Sequence, residues 1–129
     1  MAKTRILYVD DEADIREIAA ISLALDDSFE VRTCASGSEA LRVAPEWQPA
    51  LILLDVMMPG MDGPNTLAAL RTEPRTADIP VVFITARTQS YEVQRFLSLG
   101  AAGVIAKPFD PMTLASQAGH YLRGAPGPN

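Results

Sequence analysis

Short apolar runs alternate along the chain with segments in which apolar positions recur every three or four residues. The runs read as strands at Arg5 to Val9, Phe29 to Cys34, Leu51 to Leu54, Val81 to Thr85 and Gly103 to Ala106. The first, third and fourth are almost wholly apolar, as strands covered on both faces should be. FEVRTC, residues 29–34, alternates instead and suits a sheet edge. Between these runs the longer period predicts helices over about 13–25, 38–44, 64–71, 90–99 and 112–123. In the first helix Ile15, Ile18, Ser22 and Leu25 form one stripe with Ile21 beside it, the predicted core face. Asp14 and Glu17 sit near its positive end, where carboxylates are stabilising. Pro64 opens the third helix, Gly100 stops the fourth, and Asp110 followed by Pro111 caps the fifth. Trp47 falls in the loop PEWQPA as a packing residue.

Strands that alternate with helices predict an α/β fold: a single doubly wound, five-stranded parallel sheet with helices on both faces. Right-handed crossovers leave few topologies, and the order 2-1-3-4-5 fits best. A chain of 129 residues fits one domain, expected over residues 1–123. The tail GAPGPN, residues 124–129, consists of small residues and helix breakers and is expected to be flexible.

Composition narrows the function classes. With 48% hydrophobic and 21% charged residues the chain has the balance of a folded globular protein. A formal charge of -5 argues against holding nucleic acid or an anionic membrane by electrostatics alone. Cys34, the single cysteine, permits no internal disulfide and reads as a core residue in a reducing compartment. The apolar run of MAKTRILYVDDE is too short for a signal peptide or membrane span, so a cytoplasmic location is expected.

In the 2-1-3-4-5 order a ligand crevice lies beyond the carboxyl ends of the first and third strands. Asp10, Asp11 and Asp55 end those strands, the last in LILLDVMMPGMDG. Adjacent strands lie ~4.8 Å apart, and two like charges 4 Å apart repel by about 4 kcal/mol at an effective dielectric of 20. The cluster therefore calls for a proton or a cation. An all-oxygen site suits Mg²⁺ or Mn²⁺ better than zinc, because no histidine or cysteine is placed to join it. His120, in the last helix, reads as a surface residue. A calcium loop at DDEADIRE is excluded, since Ala13, Asp14 and Ile15 continue a helix and the central glycine is missing. Helix capping by Asp10 or Asp11 is the plainer reading, and it does not account for Asp55. Thr85 and Lys107 end two further strands at the same crevice, and a hydroxyl and an ammonium are the groups a phosphoryl on Asp55 would need.

These residues resemble the receiver domains of two-component response regulators. The resemblance is carried by the acidic pair in LYVDDE, the LLDVMMPGMDG segment, Thr85 and Ala86 after FI, and AKPF around Lys107, and it covers about residues 4–123. It implies a flavodoxin-like receiver fold with Asp55 as phospho-acceptor from a sensor histidine kinase or phosphotransfer protein. Asp11, Asp55 and the backbone carbonyl of Met57 would bind Mg²⁺, with Asp10 acting through a metal-bound water. Lys107 would pair with the carboxylate and then the phosphoryl oxygen, Thr85 would move inward to hydrogen-bond it, and Ala86 would leave room. A cis Lys107–Pro108 peptide is implied as well. Such a chain is no enzyme beyond its own phosphorylation and dephosphorylation. It would switch binding of an output partner, unnamed by the sequence, through the fourth helix, fifth strand and fifth helix.

The chain departs from the family pattern at Val104, where many receivers carry an aromatic ring that follows the threonine inward. Tyr91 or Phe96 could substitute, against a packing role for both. Met57 and Arg87 stand where family members flank the path of the attacking water, and their bulk predicts slow hydrolysis of the phospho-aspartate. Met57, Met58 and Met61 cluster beside the site, as gap-fillers or as a contact for a kinase helix. Two alternatives stay open: a scaffold that does not switch, which Val104 would suit, and a metal-dependent phosphatase. The latter needs a general acid near Asp55, a task Met57 cannot perform.

Overall fold

The computed structural model describes residues 2–123; the expected tail at 124–129 lies outside them. Strands β1 (Thr4–Val9), β2 (Phe29–Cys34), β3 (Leu51–Asp55), β4 (Val81–Thr85) and β5 (Gly103–Ala106) alternate with helices α1 (Ala13–Ala24), α2 (Gly37–Trp47), α3 (Gly63–Thr72), α4 (Ser90–Ser98) and α5 (Leu114–Leu122). The strands form one parallel sheet in the order β2-β1-β3-β4-β5. The predicted topology is the observed one.

Strand alternation divides the core into two layers. Leu7, Val9, Ile52, Leu54, Val81 and Phe83 pack with Ala40, Ala44, Leu67, Leu70 and Phe96, under α2, α3 and α4. The intervening residues, Ile6, Tyr8, Leu51, Leu53, Val82 and Ile84, pack with Ala19, Leu23, Leu114 and Ala118, under α1 and α5. Strands β3 and β4 are buried along their whole length, while β2 alternates, as an edge should. Cys34 is buried.

Three local expectations need correction. The α1 stripe was read too widely: Ala19, Ser22 and Leu23 are buried, with Ile15 against the core, whereas Ile18, Ile21 and Leu25 are exposed. Ser22 satisfies its buried hydroxyl by donating to the carbonyl of Ile18. Trp47 is not in a loop. Helix α2 runs through Pro45 to Trp47, with Ser36 accepting from the Glu39 amide at its start and Gln48 in the left-handed region closing it. A proline in the last turn costs the helix only one interior hydrogen bond. Finally, α5 begins at Leu114 and not Met112; Asp110 accepts from the Met112 amide and shapes the preceding turn.

Candidate functional site

The register of four strands fixes the site. Val9 pairs with Leu54, so Asp10 and Asp55 leave adjacent strands side by side. Thr85 pairs with Ala106, which puts Thr85 and Lys107 at the same end of the sheet on β4 and just beyond β5. Each of these residues follows a buried apolar strand that cannot slip without exposing its core face. Beyond Asp55 the chain turns back through Gly60, in the left-handed region, to Gly63, whose amide donates to the carbonyl of Val56 at 2.8 Å. A side chain on Gly63 would lie 2.7 Å from the carbonyl oxygen of Asp55, so only glycine lets α3 start this close.

Asp10 is 0% exposed and Asp55 4%, while Asp11 is exposed; one carboxylate oxygen of each lies within 4.8 Å of the others. Lys107 reaches into the group. Its Nζ is 3.2 Å from Asp10 Oδ2, 3.5 Å from Asp55 Oδ2 and 3.4 Å from Glu12 Oε1. Asp10 is held on every side: Oδ1 accepts from the Glu12 amide at 2.9 Å, Oδ2 from the Tyr8 hydroxyl at 3.1 Å, and its carbonyl from Arg16 at 2.8 Å.

Burial and then the charge of Asp10 push the Asp55 carboxyl up to about 6, against the pull of Lys107. Burial alone would lower the proton affinity of Lys107, but Asp55, Asp10 and hydrogen bonds to Asp10 and Glu12 raise it, so the ammonium stays charged. The phenol of Tyr8 is raised far above its ordinary value by burial and by Asp10, so it acts as a donor. Asp55, Thr85, Ala86 and Lys107 line one open cleft of about 220 Å³, with Glu12, Met57 and Arg87 at its walls. Thr85 is 4% exposed and its hydroxyl accepts from the Arg87 amide at 3.0 Å.

Three carboxylate oxygens converging beside an ammonium form a hard, all-oxygen donor set that can accept a divalent cation such as Mg²⁺. All the predicted strand-end residues are brought together. His120 is not among them; it lies half-buried, edge-on to Tyr121. Tyr91 is exposed, and Phe96 is buried against Phe83. The peptide before Pro108 is cis. Sequence reasoning missed Tyr8, Glu12 and Arg16. The signal for Tyr8 was legible, since it is the one aromatic in the buried strand TRILYV; Glu12 was the third acid of the run DDE.

Comparison with known proteins agrees with this geometry. The family model described as response regulator receiver domain matches residues 6–118. The DNA-binding response regulator MtrA of Mycolicibacterium paratuberculosis is 36% identical over 121 residues, covering 94% of this chain and 52% of that protein. The chain thus spans about half the length of the curated relatives it matches. Among solved structures, the chemotaxis protein CheY4 of Vibrio cholerae superposes with a TM-score of 0.84 at 33% identity, covering 92% of this chain and 98% of that one. A response regulator from Desulfuromonas acetoxidans gives 0.82 at 29% identity, covering 93% and 97%.

Proposed function

The chain belongs to the response regulator receiver domain family, and from that premise we propose that Asp55 accepts a phosphoryl group from a phosphohistidine on a sensor kinase or phosphotransfer protein. The observation that carries the reading is the convergence of Asp10, Asp11 and Asp55 within 4.8 Å, with Lys107 3.5 Å from the carboxylate of Asp55.

An oxygen of Asp55 attacks phosphorus; the P–O bond forms as the P–N bond breaks, and the electron pair leaves with the donor imidazole. The rigid end of β3 holds the nucleophile in the open cleft, so little orientational freedom remains to be lost. Lys107 neutralises charge on Asp55 before transfer and on the phosphoryl oxygens after it. Thr85 gives up its contact with the Arg87 amide and donates to a second oxygen, and Ala86 leaves room for the group. Asp11, Asp55 and the carbonyl of Met57 would hold Mg²⁺, or Mn²⁺ in its place, with Asp10 acting through a metal-bound water. When bound, the ion supplies positive charge that shields the transferring oxygens from the carboxylates.

The chain acts on no substrate but itself, and it returns to the ground state by hydrolysis of the acyl phosphate. The added charge shifts a two-state population, and the face formed by α4, β5 and α5 presents that shift to an output partner. MtrA binds DNA by its name; for this chain, whose net charge is -5, we propose no direct nucleic-acid contact. Among the described residues no helix is long and apolar enough to cross a membrane, and a lone buried thiol at Cys34 suits a reducing, cytoplasmic setting.

The test is intact-mass measurement after incubation with a small phosphodonor such as acetyl phosphate, with Mg²⁺ or with a chelator. Wild type gains one phosphoryl with Mg²⁺ only, and Asp55→Asn gains none. Equal labelling of both proteins overturns the assignment.

A further inference from the structure

Tyr8 occupies a core position that an aliphatic side chain or phenylalanine would fill. Its neighbours in that layer include Ile6, Leu51, Leu53 and Ile84, and its ring meets Phe109 edge-on at 6.3 Å. Packing alone gives no use for the hydroxyl. Among the described residues the hydroxyl has one partner, Asp10 Oδ2 at 3.1 Å, and the contact is buried.

We propose that Tyr8 is a positioning residue for the divalent cation: its hydroxyl fixes the plane of the Asp10 carboxylate and thereby sets the cation affinity of the acidic group. The inference rests on the cation site proposed above. Asp10 Oδ1 is tied to the rigid amide of Glu12 at 2.9 Å, which leaves rotation about that anchor as the side chain's remaining freedom. Oδ2 has two donors, Tyr8 and Lys107. Lys107 sits on a flexible stem and is shared with Asp55 and Glu12, so it cannot hold Oδ2 still by itself. The phenol can, because its ring is locked in a fully buried core. Hydrogen bonds that orient ion-binding carboxylates typically alter metal affinity by ~10–100-fold when removed.

The test is calorimetric titration of Mg²⁺ into the full chain for wild type, Tyr8→Phe, Asp10→Asn and the double variant. Tyr8→Phe should weaken Mg²⁺ binding ~10-fold and add nothing on top of Asp10→Asn. In small-donor phosphorylation the half-saturating Mg²⁺ concentration should rise by the same factor, while the rate at saturating Mg²⁺ stays near wild type. Phe109→Leu, which removes one edge contact while the remaining buried neighbours still lock the ring and its hydroxyl, should leave Mg²⁺ affinity within about twofold of wild type. Unchanged affinity in Tyr8→Phe overturns the inference, as does an equal loss in the Asp10→Asn background or in Phe109→Leu. A Tyr8→Phe chain that fails to fold overturns it too, since the hydroxyl would then serve the fold. Should wild type bind no Mg²⁺, the cation site itself falls, an outcome distinct from all of these.

Discussion

At the scale of single residues, Asp55 sits where its charge is costly. Its carboxyl holds a proton to about 6 in the folded chain against 3.8 as the ordinary value. The folded form therefore binds more protons between those values, and stability complete below pH 3.8 is lost as pH rises through 6. Two pKa units correspond to about 3 kcal/mol. In chelator, Asp55→Asn should be more stable than wild type by up to that amount at pH 8, with most of the gap gone at pH 4; urea denaturation at both pH values checks it, and an equal gap contradicts it. Cys34 makes a simpler case. Burial pushes its thiol up to about 12, so it should resist an aromatic disulfide reagent in the native chain and react on unfolding; prompt reaction of the folded protein would contradict this. Met57 and Arg87 are exposed, yet both wall the cleft over Asp55. Replacing both with alanine should shorten the phospho-aspartate lifetime several-fold, and an unchanged half-life refutes shielding.

At the scale of elements, the turn from β3 into α3 decides how accurately the proposed acceptor, Asp55, is aimed. A Cβ on Gly63 would lie 2.7 Å from the carbonyl oxygen of Asp55 and 2.8 Å from the Cα of Val56, so Gly63→Ala must push backbone aside. Overpacking of this kind costs about 1–3 kcal/mol, and here it should also slow phosphorylation, because the displaced backbone is that of the proposed acceptor. A thermal melt and a labelling time course check both effects; full activity with full stability would show that the turn is slack. The strands were legible because burial on both faces or on one leaves a pattern that few other structures produce. Helix faces were less so. Ile18, Ile21 and Leu25 are apolar but exposed, while Ala19, Ser22 and Leu23 are buried; periodicity marks apolar positions, but the rotation of the helix on the sheet decides which of them are covered. The predicted end of the second helix at residue 44 fell short, because Pro45 in the last turn of α2 removes too little to end the helix.

At the scale of the whole molecule, topology does what no local segment can. Asp10 and Asp55 are 45 positions apart by number and become neighbours only because β1 pairs with β3. Lys107 joins them from beyond β5, at the far edge of the sheet. The acidic group, Thr85 and Lys107 could be foreseen, since each ends a recognisable strand. Arg16 could not be ranked in advance, because its contact depends on a side-chain direction that periodicity leaves free. The claim on which all of this depends is that strand register makes Asp55 the acceptor, and mapping the modified residue tests it most directly. Chain phosphorylated by a small donor with Mg²⁺, reduced with borohydride and digested, should carry its modification at Asp55 alone, and none should form in chelator. Modification at Asp10, Asp11 or elsewhere, or labelling that needs no divalent cation, would contradict the account.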